Sequence, residues 1–312
     1  MKLNGVFLDR DSLGDDIELD LLTDLDINWT FYPHTDSKDT FERCVGMDVI
    51  ISNKVVLDER LLNQLPRLKH IAIAATGTNN VDKETAHKLG IQVSNVVDYA
   101  GSSVAQLTFS LILELANHTN KYAKLVKQGK WTESKTFCLL DYPIMELAGK
   151  TLGLVGYGSL ARSVEKLALA FGMKVLIAEH KGTKAIREGR TAFEQVLRQS
   201  DVISLHCPLT EDTENLIAQA DFEQMKGTAL LVNTARGGIV NEHDLVLALN
   251  EKKIAGAATD VLSQEPPPND NVLLTAQLDN LIITPHIAWA SKEARHRLLS
   301  QLALNIKTGL DL

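Results

Sequence analysis

Short apolar runs rich in β-branched residues alternate with helix-length segments through the first hundred residues. Runs of this kind predict strands, here at residues 6–9, 28–32, 48–52, 70–74 and 91–95. Helices are predicted at 58–65, where Asp58 can serve as the N-cap, and at 82–89, where Gly90 is placed to end the helix. Such alternation indicates a parallel β-sheet covered by helices, an α/β fold.

A long helical segment follows at residues 102–125. Its apolar residues Val104, Leu107, Leu111 and Leu115 recur at spacings of three and four, which places them on one helix face. We predict a single helix that connects two sheets.

A second alternating series begins after this helix. It predicts six strands, at residues 151–155, 174–179, 202–206, 229–233, 256–260 and 281–284. Six parallel strands suit a complete dinucleotide-binding sheet. A last helix, at 291–307, has no strand of its own, so we expect it to pack on the first sheet. At 312 residues, the chain exceeds the size at which one hydrophobic core stops growing, which also favours two domains.

Charge and cysteine content exclude several classes of partner. A formal net charge of −8, a pI near 5.6 and the lack of a dense basic stripe argue against nucleic acid. The three cysteines (Cys44, Cys138 and Cys207) lie far apart, which predicts neither a disulfide framework nor a zinc site. No apolar stretch approaches the roughly 18 residues of a membrane span, and the N-terminal apolar run is shorter than a signal-peptide core. We expect a cytoplasmic protein that binds neither nucleic acid nor membrane.

A glycine-rich turn lies between the strand at 151–155 and a predicted helix at 160–171. In this turn Gly156 permits the tight bend, Gly158 lets a pyrophosphate approach the backbone, and the small Ala161 lets helix and strand pack closely. The N-terminus of the helix then offers N–H donors to the phosphates. Alone, the motif could be only a glycine-rich connection, so its context decides the interpretation.

Glu179, at the end of the next strand, supplies that context. It follows Gly158 by about twenty residues, where a carboxylate accepts hydrogen bonds from the adenosine ribose hydroxyls. The same carboxylate repels a 2′-phosphate, so the sequence predicts NAD as the cofactor. The adjacent His180 and Lys181 leave NADP open as an alternative.

Three polar residues of different kinds, Arg236, Glu265 and His286, each follow a strand of the second series. Hydride transfer to a 2-oxo acid requires a cation for the substrate carboxylate and an acid for the developing alkoxide. Arg236 can bind the carboxylate with two parallel hydrogen bonds. His286 can act as the general acid, and as the base in the reverse direction, while Glu265 fixes the imidazole through its other nitrogen.

Each of the three also has a simpler interpretation. Arg236 could be a surface charge, Glu265 a loop carboxylate before prolines, and His286 a turn histidine held by Pro285. Most loop charges take no part in chemistry. Their shared position at the carboxyl ends of strands, where open α/β sheets bind ligands, favours a joint catalytic role.

In their order along the chain, these motifs resemble those of the D-isomer-specific 2-hydroxyacid dehydrogenases. The resemblance rests on Gly156-Tyr-Gly158, Asn233-Thr-Ala-Arg236-Gly-Gly, Asp260 to Glu265-Pro, and Pro285-His286, and it covers essentially the whole chain. It implies two doubly wound parallel-sheet domains. One is a Rossmann dinucleotide-binding domain at residues 101–287, inserted into a flavodoxin-like substrate domain at residues 1–100 and 288–312. It also implies an NAD-dependent oxidoreductase and a homodimer formed through the nucleotide-binding domain.

The resemblance further implies which residues contact the cofactor. They are Gly156, Gly158, Ser159 and Leu160 at the phosphates, Glu179 at the ribose, Cys207 and Pro208 beside the adenine, and Thr234, Ala235, Arg236, Asp260 and His286 near the nicotinamide.

Within the family, the chain looks most like glycerate dehydrogenases, also called hydroxypyruvate reductases. The likeness lies in the loop at residues 74–79, the Asn53-Lys54 pair and Trp289. It implies that Thr76, Gly77 and Thr78 bind the substrate carboxylate, together with Asn53, Trp289, Arg236 and His286. The implied substrates are D-glycerate and hydroxypyruvate, with glyoxylate as a further oxo acid.

Two positions depart from the family's usual residues. Ala161 replaces the commoner third glycine of the turn, which close packing tolerates, and Gln106 stands where relatives often carry glutamate. The second change could alter the nicotinamide environment or the domain interface.

The remaining candidates point to no further chemistry. Cys207 has no base beside it in sequence, and the histidines lack metal-ligand spacing, so we predict no metal and no thiol nucleophile. Trp131 and Phe137 could be core aromatics or a dimer contact, and the resemblance favours the dimer contact.

Two other functions stay open at this point. The fold also serves NAD-sensing regulatory proteins, in which a partner protein is the real ligand. A dehydrogenase for a bulkier 2-oxo acid is the second alternative.

Overall fold

The computed structural model describes residues 2–312, and the chain divides into two compact units. The first comprises the chain up to Ala100 together with Ala290–Leu312, and the second comprises Gly101–Trp289. Each unit contains one parallel β-sheet with helices between its strands. The prediction of two parallel-sheet α/β domains is confirmed.

Five parallel strands form the sheet of the first unit. They are β1 (Leu3–Phe7), β2 (Ile27–Phe31), β3 (Val49–Ser52), β4 (His70–Ile73) and β5 (Gln92–Asn95), in the flavodoxin-like order β2-β1-β3-β4-β5. A 3₁₀ turn at Arg10–Leu13 and four short helices connect them: α1 (Asp20–Thr23), α2 (Thr40–Cys44), α3 (Glu59–Leu62) and α4 (Lys83–Lys88). Asp58 caps α3 as predicted, because its carboxylate accepts a hydrogen bond from Leu61 N at 2.8 Å.

Six parallel strands form the sheet of the second unit, as the pattern predicts. They are β6 (Thr151–Val155), β7 (Lys174–Ile177), β8 (Val202–Leu205), β9 (Leu230–Asn233), β10 (Gly256–Thr259) and β11 (Leu281–Ile283). Their order is β11-β10-β9-β8-β6-β7, so β7 and β8 lie on opposite sides of β6. Open α/β sheets bind ligands at such a reversal of strand order.

Seven helices belong to the second unit. They are α5 (Gly101–Asn117), α6 (Thr119–Lys127), α7 (Ser159–Ala170), α8 (Phe193–Gln199), α9 (Gln219–Phe222), α10 (Glu242–Asn250) and α11 (Val272–Thr275). Buried apolar clusters line both faces of the sheet. The strands β8, β9 and β10 are therefore buried throughout, which explains their continuous apolar or small-residue sequences.

The prediction of one helix over residues 102–125 is wrong, because α5 ends at Asn117 and α6 begins at Thr119. His118 between them adopts a left-handed backbone conformation, with φ of 52°. The Glu114 carboxylate accepts a hydrogen bond from Asn120 N at 3.1 Å and thereby satisfies a donor at the start of α6. The apolar spacing continues across the break, so the sequence pattern does not reveal it.

The predicted strands also extend too far at their carboxyl ends. The strand expected at 174–179 ends at Ile177, and those expected at 256–260 and 281–284 end at Thr259 and Ile283. Just beyond these ends, Ala178, Asp260 and Thr284 each donate one more backbone hydrogen bond to the neighbouring strand before the chain forms a loop. The local sequence there stays compatible with a strand.

The last helix, α12 (Lys292–Gly309), packs on β4 and β5 of the first unit. The Asn305 side chain donates to the carbonyl oxygen of Asn95 at 2.9 Å, and the Gln301 side chain accepts from Val97 N at 3.1 Å. Of the helices within residues 2–312, none combines the length and apolar character needed to cross a membrane.

Candidate active site

The loops that follow the six strands of the second unit carry most of the predicted site residues. These loops place Gly156 after β6, Glu179 after β7, Cys207 after β8, Arg236 after β9, Asp260 after β10 and His286 after β11. Because the strands are parallel, all these residues belong to the same edge of the sheet.

The glycine-rich turn after β6 requires glycine at its first position. Gly156 has φ of 86°, and a Cβ built there would lie 2.6 Å from the backbone nitrogen of Cys207. The turn thus packs directly against the loop that follows β8. At Gly158, in contrast, an added Cβ meets nothing within 4 Å, so its backbone faces open space at the N-terminus of α7. Open space beside the N–H groups of Ser159 and Leu160 fits a pyrophosphate.

These two glycines yield a matched pair of variants. We expect Gly156→Ala to lower the unfolding midpoint, because a side chain there meets backbone and requires the left-handed conformation. We expect Gly158→Ala to fold normally but to weaken ADP-ribose binding about tenfold or more, since its Cβ fills the space beside the phosphates. Thermal unfolding and calorimetric titration check both results. Normal ADP-ribose binding by Gly158→Ala would contradict this placement of the phosphates.

The carboxylate of Glu179 is already paired within the protein. It accepts hydrogen bonds from Arg187 Nε at 2.7 Å and from His180 N at 2.9 Å, and it is almost completely buried. The Arg187 guanidinium holds the pKa of Glu179 far below its usual range, and the hydrogen bond from His180 N lowers this pKa further. Lys181, one of the two residues that left NADP open in the sequence, forms an ion pair with Asp221 at 2.7 Å. Sequence reasoning missed Arg187, because nothing in the pattern links it to Glu179.

The loop after β9 is shaped by the Asn233 side chain. Its Oδ1 accepts from Ala235 N at 3.0 Å, and its Nδ2 donates to the Arg236 carbonyl at 2.9 Å. Thr234 is buried and shares a hydrogen bond with the hydroxyl of Thr108 on α5 at 3.0 Å. Arg236 is exposed, and its Nη1 donates to the carbonyl oxygen of Ala235 at 2.7 Å. The loop therefore holds the arginine backbone firmly and leaves its guanidinium at the surface.

Gly237 brings this loop into backbone contact with the loop after β10. A Cβ built at Gly237 would lie 1.8 Å from the carbonyl oxygen of Leu262. Only glycine permits so close an approach. The arginine loop and the Glu265 loop are thus packed against each other.

His286 and Glu265 form the predicted pair. The imidazole Nδ1 lies 2.6 Å from Glu265 Oε2, and the two side chains are 29% and 32% exposed. The second carboxylate oxygen accepts from Leu262 N at 3.0 Å, which fixes the carboxylate in turn. Because Nδ1 is committed to Glu265, Nε2 is the nitrogen that can exchange a proton with a substrate.

Asp260 holds the turn that carries His286. The carboxylate of Asp260 is buried and accepts from Thr284 Oγ1 at 2.6 Å, from Ile287 N at 2.9 Å and from Ala288 N at 2.7 Å. Its carbonyl oxygen accepts from His286 N at 2.8 Å, and His286 itself has φ of 56°. The left-handed conformation of a non-glycine residue is therefore supported from both sides of the turn. Trp289, at the end of the second unit, is half-buried.

In the first unit, the predicted substrate residues follow β3 and β4. Asp9, just after β1, is buried and accepts hydrogen bonds from Asn53 N at 2.9 Å and Lys54 N at 2.7 Å. Burial raises the pKa of Asp9. The Thr76 hydroxyl donates to the Val96 carbonyl at 2.9 Å, which anchors the loop that includes Gly77 and Thr78. Sequence reasoning missed Asp9, although an acidic residue directly after a buried strand was a usable signal.

The remaining candidates differ in their surroundings. Cys207 is partly buried, and burial raises the pKa of its thiol to about 11, which opposes a nucleophilic role. Pro208 and Gln106 are exposed, and Gln106 lines a groove beside α5 and α7. Trp131 and Phe137 are 53% and 90% exposed, so they are not core residues. Within residues 2–312, no cluster of His, Cys, Asp or Glu is arranged to hold a metal ion.

Residues 109–288 match the family described as D-isomer specific 2-hydroxyacid dehydrogenase, NAD binding domain. The match covers more than half of the chain and includes all the loops described above that follow the strands of the second unit. The chain belongs to this family. As a member of the D-isomer specific 2-hydroxyacid dehydrogenases, it uses NAD for hydride transfer on small 2-hydroxy acids.

Relatives of similar length extend the match to almost the whole chain. A putative 2-hydroxyacid dehydrogenase of Haemophilus influenzae is 45% identical over 304 residues, covering 97% of this chain and 96% of that protein. A glycerate dehydrogenase of Methylorubrum extorquens is 44% identical over 306 residues, covering 97% and 94%. A hydroxypyruvate reductase of Blautia hydrogenotrophica is 38% identical over 279 residues, covering 88% and 86%.

Solved structures show the same architecture. A D-lactate dehydrogenase from Aquifex aeolicus, complexed with NAD and lactic acid, superimposes with a TM-score of 0.80 at 29% identity and covers 99% of this chain and 96% of its own. A protein from Thermus thermophilus superimposes with a TM-score of 0.86, also at 29% identity, covering 99% and 97%. The fold and the cofactor class predicted from the sequence are thus confirmed.

Proposed function

We propose that this dehydrogenase interconverts hydroxypyruvate and D-glycerate, and that it also reduces glyoxylate. The observation that carries the proposal is the 2.6 Å contact between His286 Nδ1 and Glu265 Oε2, beside a loop that presents Arg236. The names of the Methylorubrum and Blautia relatives support the choice of this substrate pair.

The proposed reaction assigns one task to each residue. Arg236 binds the substrate carboxylate, because its guanidinium stays charged at any working pH and can bind both oxygens. His286 Nε2 donates a proton to the oxygen on C2 during reduction and takes it back during oxidation. Glu265 keeps the ring oriented through Nδ1. When bound, the nicotinamide supplies the hydride to C2 or accepts it.

We propose the remaining contacts as the family resemblance implies them. Residues 101–287 form the dinucleotide-binding domain, and residues 1–100 with 288–312 form the substrate domain. The division into compact units, one of which is Gly101–Trp289, supports this assignment. The further substrate contacts are Asn53, Thr76, Gly77, Thr78 and Trp289. The cofactor contacts are Gly156, Gly158, Ser159, Leu160, Glu179, Cys207, Pro208, Thr234, Ala235, Arg236, Asp260 and His286. The open space at Gly158 supports the placement of the phosphates.

A substrate comparison tests the proposed function. Oxidation of NADH is followed with hydroxypyruvate, glyoxylate, pyruvate and a bulky 2-oxo acid. We expect kcat/KM to be highest for hydroxypyruvate, with glyoxylate next. A preference for the bulky acid would replace the proposed substrate, and the absence of turnover with all four would favour a regulatory role.

We also propose that the enzyme is a cytoplasmic homodimer formed through its dinucleotide-binding domain. Trp131, Phe137, Leu140 and Ile144 expose large apolar surfaces within one short segment of that domain, and such patches are typical of protein interfaces. We expect sedimentation to show a dimer and the double variant Phe137→Ser, Leu140→Ser to show monomers. A monomeric wild-type enzyme would contradict the proposal.

The proposed cytoplasmic location is supported by the cysteines. Cys44, Cys138 and Cys207 are free thiols, which is typical of a reducing compartment.

A further inference from the structure

The loop after β7 presents a cation where the sequence predicted an anion. The Glu179 side chain is only 1% exposed, whereas the side chain of Arg187, which covers it, is 58% exposed. Arg187 donates from Nε and Nη2 to both carboxylate oxygens, at 2.7 Å and 2.5 Å. An approaching adenosine ribose therefore meets a guanidinium first.

The contacts of Glu179 leave it little capacity for a ribose. Besides Arg187 Nε and Nη2, it accepts from His180 N at 2.9 Å and from Arg187 N at 3.3 Å. A carboxylate offers about four acceptor positions, so these donors nearly saturate it. The low pKa of Glu179 keeps it ionised, and the adjacent guanidinium compensates its charge. The repulsion that would exclude a 2′-phosphate is thereby removed.

Arg187 has donors to spare for a second anion. A guanidinium carries five N–H groups in a planar fork, and Glu179 engages one edge of it. A phosphate at the exposed edge can thus be bound without breaking the pair with Glu179. Arginine is well suited to this task because its fork matches phosphate geometry.

The charges around Arg187 also favour an anion. Arg190 and Arg162 lie over the ring of Tyr157 in the glycine-rich turn, at 5.1 Å and 5.7 Å from its centroid. Arg190 also donates to the carbonyl of Ala178, the residue before Glu179, at 3.3 Å. Of the acidic residues nearby, Glu165 accepts a hydrogen bond from the Tyr157 hydroxyl at 2.6 Å, whereas Glu188, next to Arg187 in the chain, is exposed. Three arginines thus surround the turn and the end of β7.

We infer that Arg187 determines cofactor specificity and that the enzyme accepts NADP(H) as well as NAD(H), with the Arg187 guanidinium bound to the 2′-phosphate. The inference rests on the proposed placement of the adenosine ribose beside Glu179. Glu179 then acts as a positioning residue that orients the arginine. A carboxylate at this strand end, which usually indicates NAD alone, does not exclude NADP in this chain.

Binding of two nicotinamide-free ligands tests the inference independently of turnover. Calorimetric titration with ADP-ribose and with 2′-phospho-ADP-ribose is carried out on the wild type and on Arg187→Gln, with Lys184→Gln as the matched control. Lys184 is an exposed cation of the same loop. We expect the wild type to bind both ligands. In Arg187→Gln, the affinity for 2′-phospho-ADP-ribose should fall about 10- to 100-fold, which is the contribution of a charge-assisted hydrogen bond. The affinity of this variant for ADP-ribose should change by less than about threefold. Lys184→Gln should change neither.

Two outcomes overturn the inference. One is a wild type that binds ADP-ribose but not its 2′-phosphorylated form. The other is an Arg187→Gln variant whose affinity for the two ligands falls by the same factor. Arg187→Lys, which keeps the charge, covers the case in which the glutamine variant fails to fold, and it should show an intermediate loss for the phosphorylated ligand. If Gly158→Ala weakens both ligands while Glu179→Gln and Arg187→Gln affect neither, the ribose lies elsewhere. That result refutes the ribose placement itself, separately from the role of Arg187.

Discussion

We expect the His286→Ala variant to lose about 10²- to 10⁴-fold in kcat, the usual contribution of a general acid-base group, and to retain its affinity for NADH. The reason is geometric, since Glu265 occupies Nδ1 and only Nε2 is left for the substrate proton. The Glu265→Gln variant should lose less, because an amide oxygen still accepts a hydrogen bond from Nδ1 but does not stabilise the charged ring. Steady-state kinetics with hydroxypyruvate and fluorescence titration with NADH measure the two properties.

His243→Gln is the matched control for this experiment. His243 is an exposed histidine on α10, and its replacement should leave kcat unchanged. Equal losses of turnover and NADH affinity in His286→Ala would show that the histidine serves the cofactor site rather than proton transfer. A kcat close to that of the wild type would remove His286 from the mechanism.

The Asp260→Ala variant should lose both stability and turnover. The substitution leaves the N–H groups of Ile287 and Ala288 without their acceptor, and Ala288 is buried. We expect the free energy of unfolding to fall by about 3–5 kcal/mol, from two unsatisfied donors and a lost charge-assisted bond. The His286 turn then loses its left-handed conformation, so kcat should fall by at least about tenfold in the protein that remains folded, since a small misplacement of a reacting group is costly.

Two further variants complete this experiment. Asp260→Asn separates loss of the charge from loss of the hydrogen-bond acceptor, and Asp270→Ala is the matched control. Asparagine retains one acceptor oxygen, so its losses should lie between those of the wild type and of Asp260→Ala. Asp270 is an exposed acid in the loop that follows Glu265, and its removal should change neither property. Chemical denaturation and kcat measured on the same samples provide the test. An Asp260→Ala enzyme as stable and as active as the wild type would show that the turn holds without the carboxylate.

The sequence alone predicted the two sheets and the His286–Glu265 pair because both depend on local signals. Apolar runs mark each strand, and the end of a parallel strand determines on which edge the next residues lie. It is therefore enough to know which strand precedes each polar residue to place Arg236, Glu265 and His286 at the same edge of the sheet. The break at His118 escaped this reasoning, since a single left-handed residue leaves the apolar spacing unchanged.

Contacts between loops could not be predicted in the same way. Arg187 pairs with Glu179 across eight residues of irregular chain, and Thr108 meets Thr234 across 126 residues. Neither pair has a periodic pattern, and loop conformation depends on packing that a single sequence does not display. Asp9 belongs with them in part. Its position after a buried strand was visible in the sequence, but its contact with Asn53 depends on the strand order that places β1 beside β3.

The contact at Gly237 has an evolutionary consequence. It joins the arginine loop to the Glu265 loop, so that residues 233–286 carry the proposed carboxylate-binding group and the acid-base pair in one uninterrupted stretch of chain. Recombination outside this stretch would transmit the proton-transfer chemistry intact, whereas a crossover within it would separate parts that fit only each other. Substrate preference can therefore diversify through the remainder of the gene while the proton-transfer groups are inherited as a block.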